Sequence, residues 1–338
     1  MNILQACADP NLFAPWFKRG DWSAWMAFLA TLFGLPMTPE QLATYRKHTG
    51  RMQPPQAPFS ESWLIIGRRG GKSFVMALVA VFLATFRDYR PFLQPGEQAT
   101  VAVIAADRKQ ARVIMRYIVG LLTHVPMLAK LMGEPTKESV ELEGQVTIEV
   151  RTASYRTTRG YAYAAVLCDE VAFWSVEGAA EPDYEILDAI RPGMASIPGA
   201  MLICGSSPYA RKGALWDAFQ RYHGKDDAPV LVWQAATKDM NPSIATKVIT
   251  DAYERDAASA AAEYGAQFRS DVEALLSRDA VAAVIETGVR ERPPESRINY
   301  QAFVDPSGGS ADSMTLAISH REDGVGVLDA VREVKPPF

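Results

Sequence analysis

Six short apolar runs, separated by stretches of helical character, constrain the fold of this chain more than any other feature. They begin at Ser62, Thr100, Val146, Ala164, Ala200 and Val230. Continuous apolar runs of four to six residues are typical of strands buried on both faces, and intervening helices indicate parallel connections. The pattern therefore predicts an α/β fold with a mainly parallel sheet covered by helices.

Helical segments flank this core. Aromatic and aliphatic residues recur at three- and four-residue steps from Trp22 to Phe33 and predict a helix. Thr38, with Gln41 three residues later, predicts the capping box of a second helix that runs until Gly50. We interpret the aromatic residues as core and not as a base-stacking platform. Beyond Asn241 the chain is Ala-rich and helical in character as far as an exposed linker, ERPPESR.

Three further strands follow the linker. The runs are QAFVD, MTLAIS and VGVLD, with Asp323-Gly324 as a tight-turn signal between the last two. Three strands rarely bury a core of their own, so they resemble the opening meander of another domain. The predicted organisation is a helical segment over 1–60, a core over 61–240, a helical lid and linker over 241–297, and an incomplete domain over 298–338.

Composition excludes several classes of protein. The 338 residues are 48% hydrophobic and 22% charged, which is the balance of a folded globular protein, and the formal net charge of −4 excludes a histone-like coat for DNA. The most apolar helix candidate spans about 13 residues and is shorter than the ~20 that cross a bilayer. Cys7, Cys168 and Cys204 lack metal-ligand spacing, so we expect free thiols in a reducing cytosolic compartment.

The strongest chemical signal lies where the first apolar run meets a helix. The loop consists of Gly67, Arg68, Arg69, Gly70, Gly71, Lys72 and Ser73. A strand, a Gly-rich turn and a helix that begins at Lys-Ser form a phosphate-binding loop, in which backbone N–H groups cradle phosphates. Lys72 would reach the β/γ oxygens and Ser73 would ligate Mg²⁺. Ile66 replaces the usual first glycine of the GxxxxGK[ST] pattern.

An acidic pair completes the predicted site. Asp169 and Glu170 follow the apolar run that starts at Ala164. Asp169 would hold Mg²⁺ through water, and Glu170 would polarise the attacking water. A phosphate loop and a carboxylate pair at strand ends together favour nucleotide hydrolysis over a solvated acidic turn.

Several segments together resemble the large terminase subunits of tailed phages, the motors that package DNA. GRRGGKS is similar to the family's deviant Walker A motif, AVLCDE to its Walker B motif, and GSSPYARKG to its coupling motif. The resemblance implies a RecA-like P-loop ATPase of the additional-strand (ASCE) type with a helical lid. It also implies that Arg68 acts in cis and that Ser206 contacts the nucleotide.

The segment TTRG resembles the position of a trans-acting arginine in this family. The resemblance makes Arg159 the candidate that reaches the nucleotide of the neighbouring subunit and stabilises charge on the transferred phosphoryl group. Arg156, three residues earlier, is an equal chemical candidate.

The last strands resemble the beginning of the family's RNase H-like nuclease domain. The resemblance makes Asp305 the first ligand of a two-metal centre for Mg²⁺ or Mn²⁺, with Asp312 close to it. Asp329, at the end of the third strand, would lie two strands away, roughly 9–10 Å. Because the family's remaining carboxylates come from later strands, we expect a truncated chain without nuclease activity.

The resemblance implies a subunit that couples ATP hydrolysis to translocation of double-stranded DNA into procapsids. Its expected partners are the portal protein, the small terminase subunit and further copies of itself in a homo-oligomeric, pentameric ring in the host cytoplasm. Arg108, Arg112 and Arg116 fall on one helix face, and Arg211 and Lys212 form a second basic candidate for DNA contact. A helicase-like ATPase and a non-catalytic DNA-packaging assembly protein with a degenerate nucleotide site remain alternatives.

Overall fold

The chain forms two compact units, Met1–Glu273 and Ala274–Phe338. The computed structural model describes residues 1–154, 160–174, 182–269, 281, 283–306 and 313–335. Within those residues no helix combines the length and the apolar character needed to span a membrane.

The first unit is built on a seven-stranded sheet in the order β3-β4-β2-β5-β6-β1-β7. Its strands are β1 (Glu61–Ile66), β2 (Ala99–Ala105), β3 (Ser139–Leu142), β4 (Val146–Thr152), β5 (Ala162–Asp169), β6 (Met201–Ser206) and β7 (Val230–Ala235). All neighbouring pairs are parallel except β3 and β4. The predicted α/β fold is confirmed, and β3 is an edge strand that the apolar runs do not reveal.

Helices cover both faces of this sheet. They are α1 (Ile3–Ala8), α2 (Ala14–Phe17), α3 (Ser23–Leu32), α4 (Pro39–Thr49), α5 (Lys72–Phe86), α6 (Arg108–His124), α7 (Pro126–Ala129), α8 (Pro182–Met194), α9 (Gly213–Tyr222), α10 (Thr237–Met240), α11 (Thr246–Arg255) and α12 (Ala257–Glu263). Alternate residues of β1 join two separate clusters: Leu64 packs with α3, α5 and α6, and Ile65 with α8 and α9. Two apolar faces explain why the strands read as continuous apolar runs.

The capping box of α4 is confirmed. The Thr38 hydroxyl accepts a hydrogen bond from the Gln41 backbone N–H at 3.3 Å, and the Gln41 side chain accepts one from the Thr38 backbone N–H at 3.0 Å. Gly50 ends this helix in the left-handed conformation. All three cysteines are free, as predicted, and all three are buried; burial raises the pKa of Cys7 to about 12.

The second unit contains an antiparallel sheet of β8 (Tyr300–Asp305), β9 (Met314–Glu322) and β10 (Val325–Val334), in the order β10-β9-β8. The two-residue turn Asp323-Gly324 has positive φ at both positions, 47° and 84°, as a tight hairpin requires. The predicted meander is therefore confirmed.

The prediction that Asp329 ends the third strand is wrong, although β10 does lie two strands from β8, as expected. β10 continues to Val334, so Asp329 lies in mid-strand, at a bulge between Leu328 and Ala330. Its buried carboxylate lies 2.8 Å from Nδ1 of the buried His320, so it faces the interior of the unit. Asp305 of β8 pairs with Thr315 of β9, and Thr315 pairs in turn with Glu333 of β10. Glu333 is therefore the residue of β10 that lies in line with Asp305 across the sheet.

Candidate nucleotide-binding site

The loop from Gly67 to Gly71 joins β1 to α5 at the carboxyl end of the parallel strands. β6 lies between β1 and β5, so the loop, Ser206 at the end of β6 and Asp169 at the end of β5 share one sheet edge. This is the edge where open parallel sheets bind ligands. The strand order thus brings together the loop and the carboxylate pair, as the sequence predicts.

Gly67 is required by the close approach of two other segments. A Cβ at this position would lie 2.4 Å from the Thr237 hydroxyl and 2.7 Å from the Tyr264 carbonyl oxygen. Ile66, which occupies the place of the usual first glycine, is the last residue of β1 and is fully buried. The residue that must be glycine is therefore Gly67, one position after the first glycine of the GxxxxGK[ST] pattern.

Lys72 is the centre of the site's hydrogen bonding. Its side chain is 6% exposed, and its Nζ lies 3.1 Å from Oε1 of Glu170. The same ammonium group donates to the Ser207 hydroxyl and to the Ile66 carbonyl oxygen, each at 3.2 Å. The ends of β1, β5 and β6 thus all supply partners to the buried ammonium group of Lys72.

Glu170 is held in place by the end of β6. Its Oε2 accepts hydrogen bonds from the Ser206 hydroxyl and from the Ser207 backbone N–H, both at 3.1 Å. Glu170 itself has φ 53° and ψ 46°, a left-handed conformation that is uncommon for a residue with a side chain and that clusters at functional sites. Ser207 was not predicted, although it is the second serine of the GSSP segment.

Asp169 is almost fully buried, at 4% exposure, and its Oδ1 has no hydrogen-bond partner among the residues that the structure describes. Burial, together with the neighbouring Glu170 carboxylate, raises the pKa of Asp169 to about 7, and Lys72 acts in the opposite direction. A buried carboxylate oxygen without a donor suits a cation or a bound water. Ser73 lies half-buried in the first turn of α5.

A cleft of about 740 Å³ adjoins the loop. Its lining includes Arg68, Arg69, Asp107, Gln110, Glu170 and Tyr264. The Arg68 guanidinium is more than half exposed and lies 3.3 Å from Oε1 of Glu263 at the end of α12. Gln110 adds a second buried side-chain oxygen, Oε1, that lacks a partner within the described residues.

Other predicted site residues belong to α6, to the second unit or to segments outside the described residues. Arg156 and Arg159 fall outside the described residues, and so does Asp312. Asp305 is exposed at the end of β8. The described residues hold no group of three or more His, Cys, Asp or Glu side chains that could bind a metal ion. Arg108, Arg112 and Arg116 are exposed on α6, and Arg108 lies 4.0 Å from Glu138.

The structure is similar to solved structures of phage large terminases. The HK97 bacteriophage large terminase gives a TM-score of 0.53 with 18% identity, over 92% of this chain and 67% of that chain. The ATPase domain of the Thermus phage P74-26 large terminase, in a mutant and an unmutated form, gives 0.51 with 16% identity, over 71% of this chain and 98% and 97% of those chains.

No protein-family model matches the sequence, and no curated protein matches it. The similarity to these solved structures therefore concerns the fold alone. In this chain the fold places β1, which precedes the loop, next to β6, and β6 next to β5, which ends at Asp169. The chain has the fold of the ATPase domain of phage large terminase subunits.

Proposed function

We propose that this chain is an ATP-hydrolysing motor subunit that moves double-stranded DNA during phage genome packaging. The observation that carries the proposal is the convergence of Lys72, Glu170 and Ser207 at the end of a phosphate-loop strand, within hydrogen-bonding distance of one another. The terminase fold supports the same activity.

In this proposal the loop binds the phosphates of ATP. The first N–H groups of α5 have no partner within the helix, and Lys72 supplies a positive charge at the same point. Arg68 lines the cleft beside the loop and would approach the γ-phosphate from the same chain. These groups orient the nucleotide and stabilise negative charge on the phosphate oxygens.

Glu170 would act as the general base. It accepts the proton of the attacking water as the new P–O bond forms, while the bond between the γ-phosphorus and the bridging oxygen breaks and ADP leaves. Ser206 and the Ser207 N–H fix the orientation of the carboxylate. Because Ser207 also contacts Lys72, β6 connects the phosphate-binding residue with the base.

The residues present suit Mg²⁺. Ser73 and Asp169 would hold it, since a hydroxyl and a carboxylate are oxygen ligands and Asp169 Oδ1 lacks a protein partner in the described part of the chain. When bound with ATP, Mg²⁺ neutralises charge on the phosphate oxygens. Asp169 would be ionised in that complex.

The partners follow from the proposed role. We propose a homo-oligomeric ring in which Arg159 or Arg156 of one subunit serves the nucleotide of the next, with the portal protein and the small terminase subunit as further partners. Double-stranded DNA would contact exposed arginines of α6 or the pair Arg211 and Lys212. An RNase H-like nuclease centre at Asp305 and Asp312, with Mg²⁺ or Mn²⁺, belongs to the same proposal.

A helicase-like ATPase would have a second RecA-like sheet. The described residues after Asn241 form short helices and the three antiparallel strands β8 to β10. A non-catalytic assembly protein would not need the buried Lys72–Glu170 pair with its serine contacts.

Steady-state ATP turnover of Glu170→Gln tests the assignment. We expect turnover to fall by about 10²- to 10⁴-fold, because a general base contributes that much, while nucleotide binding persists. Glu254→Gln, on an exposed position of α11, is the matched control and should keep wild-type turnover. Wild-type turnover in Glu170→Gln would show that the catalytic assignment is wrong. DNA-stimulated turnover then separates a motor from an assembly protein.

A further inference from the structure

Three successive carbonyl groups of the phosphate loop are held by side chains from outside the loop. The carbonyl oxygens of Arg68, Arg69 and Gly70 accept hydrogen bonds from Thr237 Oγ1, Asn241 Nδ2 and Trp25 Nε1, each at 2.8 Å. The donors lie in α10, directly after α10, and in α3.

These bonds determine where the loop's N–H groups point. In a trans peptide the N–H is directed opposite to the carbonyl of the same peptide unit. Carbonyls turned outward at Arg68 and Gly70 therefore direct the N–H groups of Arg69 and Gly71 into the loop. Neither of those two N–H groups donates to a backbone acceptor in the described residues, whereas the Gly70 N–H donates to the Gly67 carbonyl at 3.1 Å.

The loop conformation needs such support. Arg69 has a φ of 63° and Gly71 a φ of 97°, both in the left-handed region. For a residue with a side chain, such as Arg69, this conformation is unfavourable and persists when surrounding contacts impose it. The Asn241 side chain accordingly binds the carbonyl of Arg69 itself.

Trp25 is a rigid support because its whole side chain is packed. It is 1% exposed, its ring meets Phe28 edge-on at 5.7 Å, and Phe28 in turn meets Trp233 at 5.6 Å. A Cβ on Gly71 would lie 3.1 Å from Trp25 Nε1, so the indole sits directly against the loop.

We infer that Trp25, Thr237 and Asn241 are positioning residues that preorganise the phosphate loop for nucleotide binding. This inference rests on the proposed function, and it extends the site to side chains that would not touch the nucleotide. Without these donors the loop would populate conformations in which its N–H groups do not converge, and the nucleotide would have to order it on binding.

The chain offers a matched control for Trp25. Trp233 is fully buried in the same aromatic cluster, but its Nε1 has no hydrogen-bond partner among the described residues. Trp25→Phe and Trp233→Phe therefore remove similar buried ring area, and only Trp25→Phe removes a bond to the loop. A purely structural effect would appear in both variants.

The test is calorimetric titration of the full chain with ATP and with ADP in the presence of Mg²⁺, together with kcat, KM and Tm. We expect Trp25→Phe to raise the Kd of both nucleotides and KM by about three- to tenfold, as loss of one neutral hydrogen bond implies, with a smaller change in kcat. Trp233→Phe should lower Tm comparably and leave Kd within about twofold of the wild-type value.

Thr237 provides a second, independent pair of variants if Trp25→Phe does not fold. Thr237→Val removes the hydroxyl donor and should raise Kd, whereas Thr237→Ser keeps the donor and should retain wild-type affinity. Equal Kd values for the wild type, Trp25→Phe and Thr237→Val would overturn the inference alone. A wild-type chain that binds neither nucleotide would overturn the proposed function, and this inference with it.

Discussion

The ammonium group of Lys72 lies 3.1 Å from the carboxylate of Glu170, with side chains that are 6% and 20% exposed. A pair this sheltered from water has a strong mutual dependence, because removing one partner leaves the other charged and poorly solvated. Lys72, the proposed phosphate-binding residue, and Glu170, the proposed base, therefore stabilise each other in the fold.

Because Lys72 and Glu170 are in contact, we expect substitutions of the two residues to have non-additive effects on the free energy of unfolding. Lys72→Met should lower the free energy of unfolding by about 2 to 3 kcal/mol, because Glu170 loses its counter-charge. In the double variant Lys72→Met/Glu170→Gln the loss should be smaller than the sum of the single losses by about 1 to 3 kcal/mol. Urea unfolding of the four proteins without nucleotide measures the difference. Strict additivity would mean that the contact contributes nothing.

Two glycines should respond in opposite directions to alanine. Gly67→Ala places a methyl group 2.4 Å from the Thr237 hydroxyl, so we expect a loss of about 2 kcal/mol or more and weaker nucleotide binding. Gly120 lies inside α6 with nothing within 4 Å of its Cβ position. Gly120→Ala should therefore stabilise the chain by about 0.5 to 1 kcal/mol, since alanine favours helix. Thermal unfolding that ranks the two variants the other way round would contradict the close packing seen at Gly67.

His48 contributes stability that should be lost in mild acid, opposite in sign to the contribution of buried Asp169, whose raised pKa favours the fold as pH falls. Burial lowers the pKa of His48 below 6.5, although a hydrogen bond with the Gln234 carbonyl raises it in part. The unfolded chain then binds more protons near pH 6, so the stabilising contribution is present above pH 6.5 and lost as pH falls through the folded-state pKa. Between pH 8 and pH 5 the Tm of the wild type should therefore fall relative to that of His48→Gln, because the contribution of Asp169 is common to both proteins. The exposed His124→Gln is the control and should follow the wild-type curve.

Binding to double-stranded DNA should depend on salt through α6. Arg112 and Arg116 are exposed, and Arg108 is less available because it lies 4.0 Å from Glu138. If Arg112 and Arg116 both contact phosphates, Arg112→Gln/Arg116→Gln should reduce the slope of log K against log salt by about 1.8. Arg90→Gln is the control, since its guanidinium is 2.8 Å from Asp88. An unchanged slope in the double variant would direct attention to Arg211 and Lys212.

The sheet could be predicted from sequence because parallel strands buried on two faces produce continuous apolar runs. β3 was not predicted, since Ser139–Leu142 is four residues long and buries only alternate positions at the sheet edge. Asp329 was misplaced for a different reason. β10 continues through residues 330–334, where the charged residues Arg332 and Glu333 interrupt the apolar run from which the strand was predicted.

Some residues of the candidate site could likewise be predicted from sequence, and others could not. The loop and the pair Asp169-Glu170 are contiguous in sequence and follow strands, so short motifs reveal them. Trp25 was interpreted as core, which its 1% exposure bears out, but its bond to Gly70 spans 45 residues. Neutral donors such as Thr237 have no characteristic spacing from the loop, so only the folded structure identifies them.

The two donors from the α10 region have a mechanical consequence. In sequence, Thr237 and Asn241 lie between β7 and the helices α11 and α12. Glu263, the last residue of α12, accepts a hydrogen bond from the Arg68 N–H, and Tyr264 accepts one from the Thr237 N–H. Coupling between two equilibria is reciprocal. If nucleotide binding favours the observed position of these helices, a force that displaces the helices weakens nucleotide binding by the same factor. If the site binds ATP as proposed, the Kd for ATP would therefore depend on the mechanical force that acts on these helices.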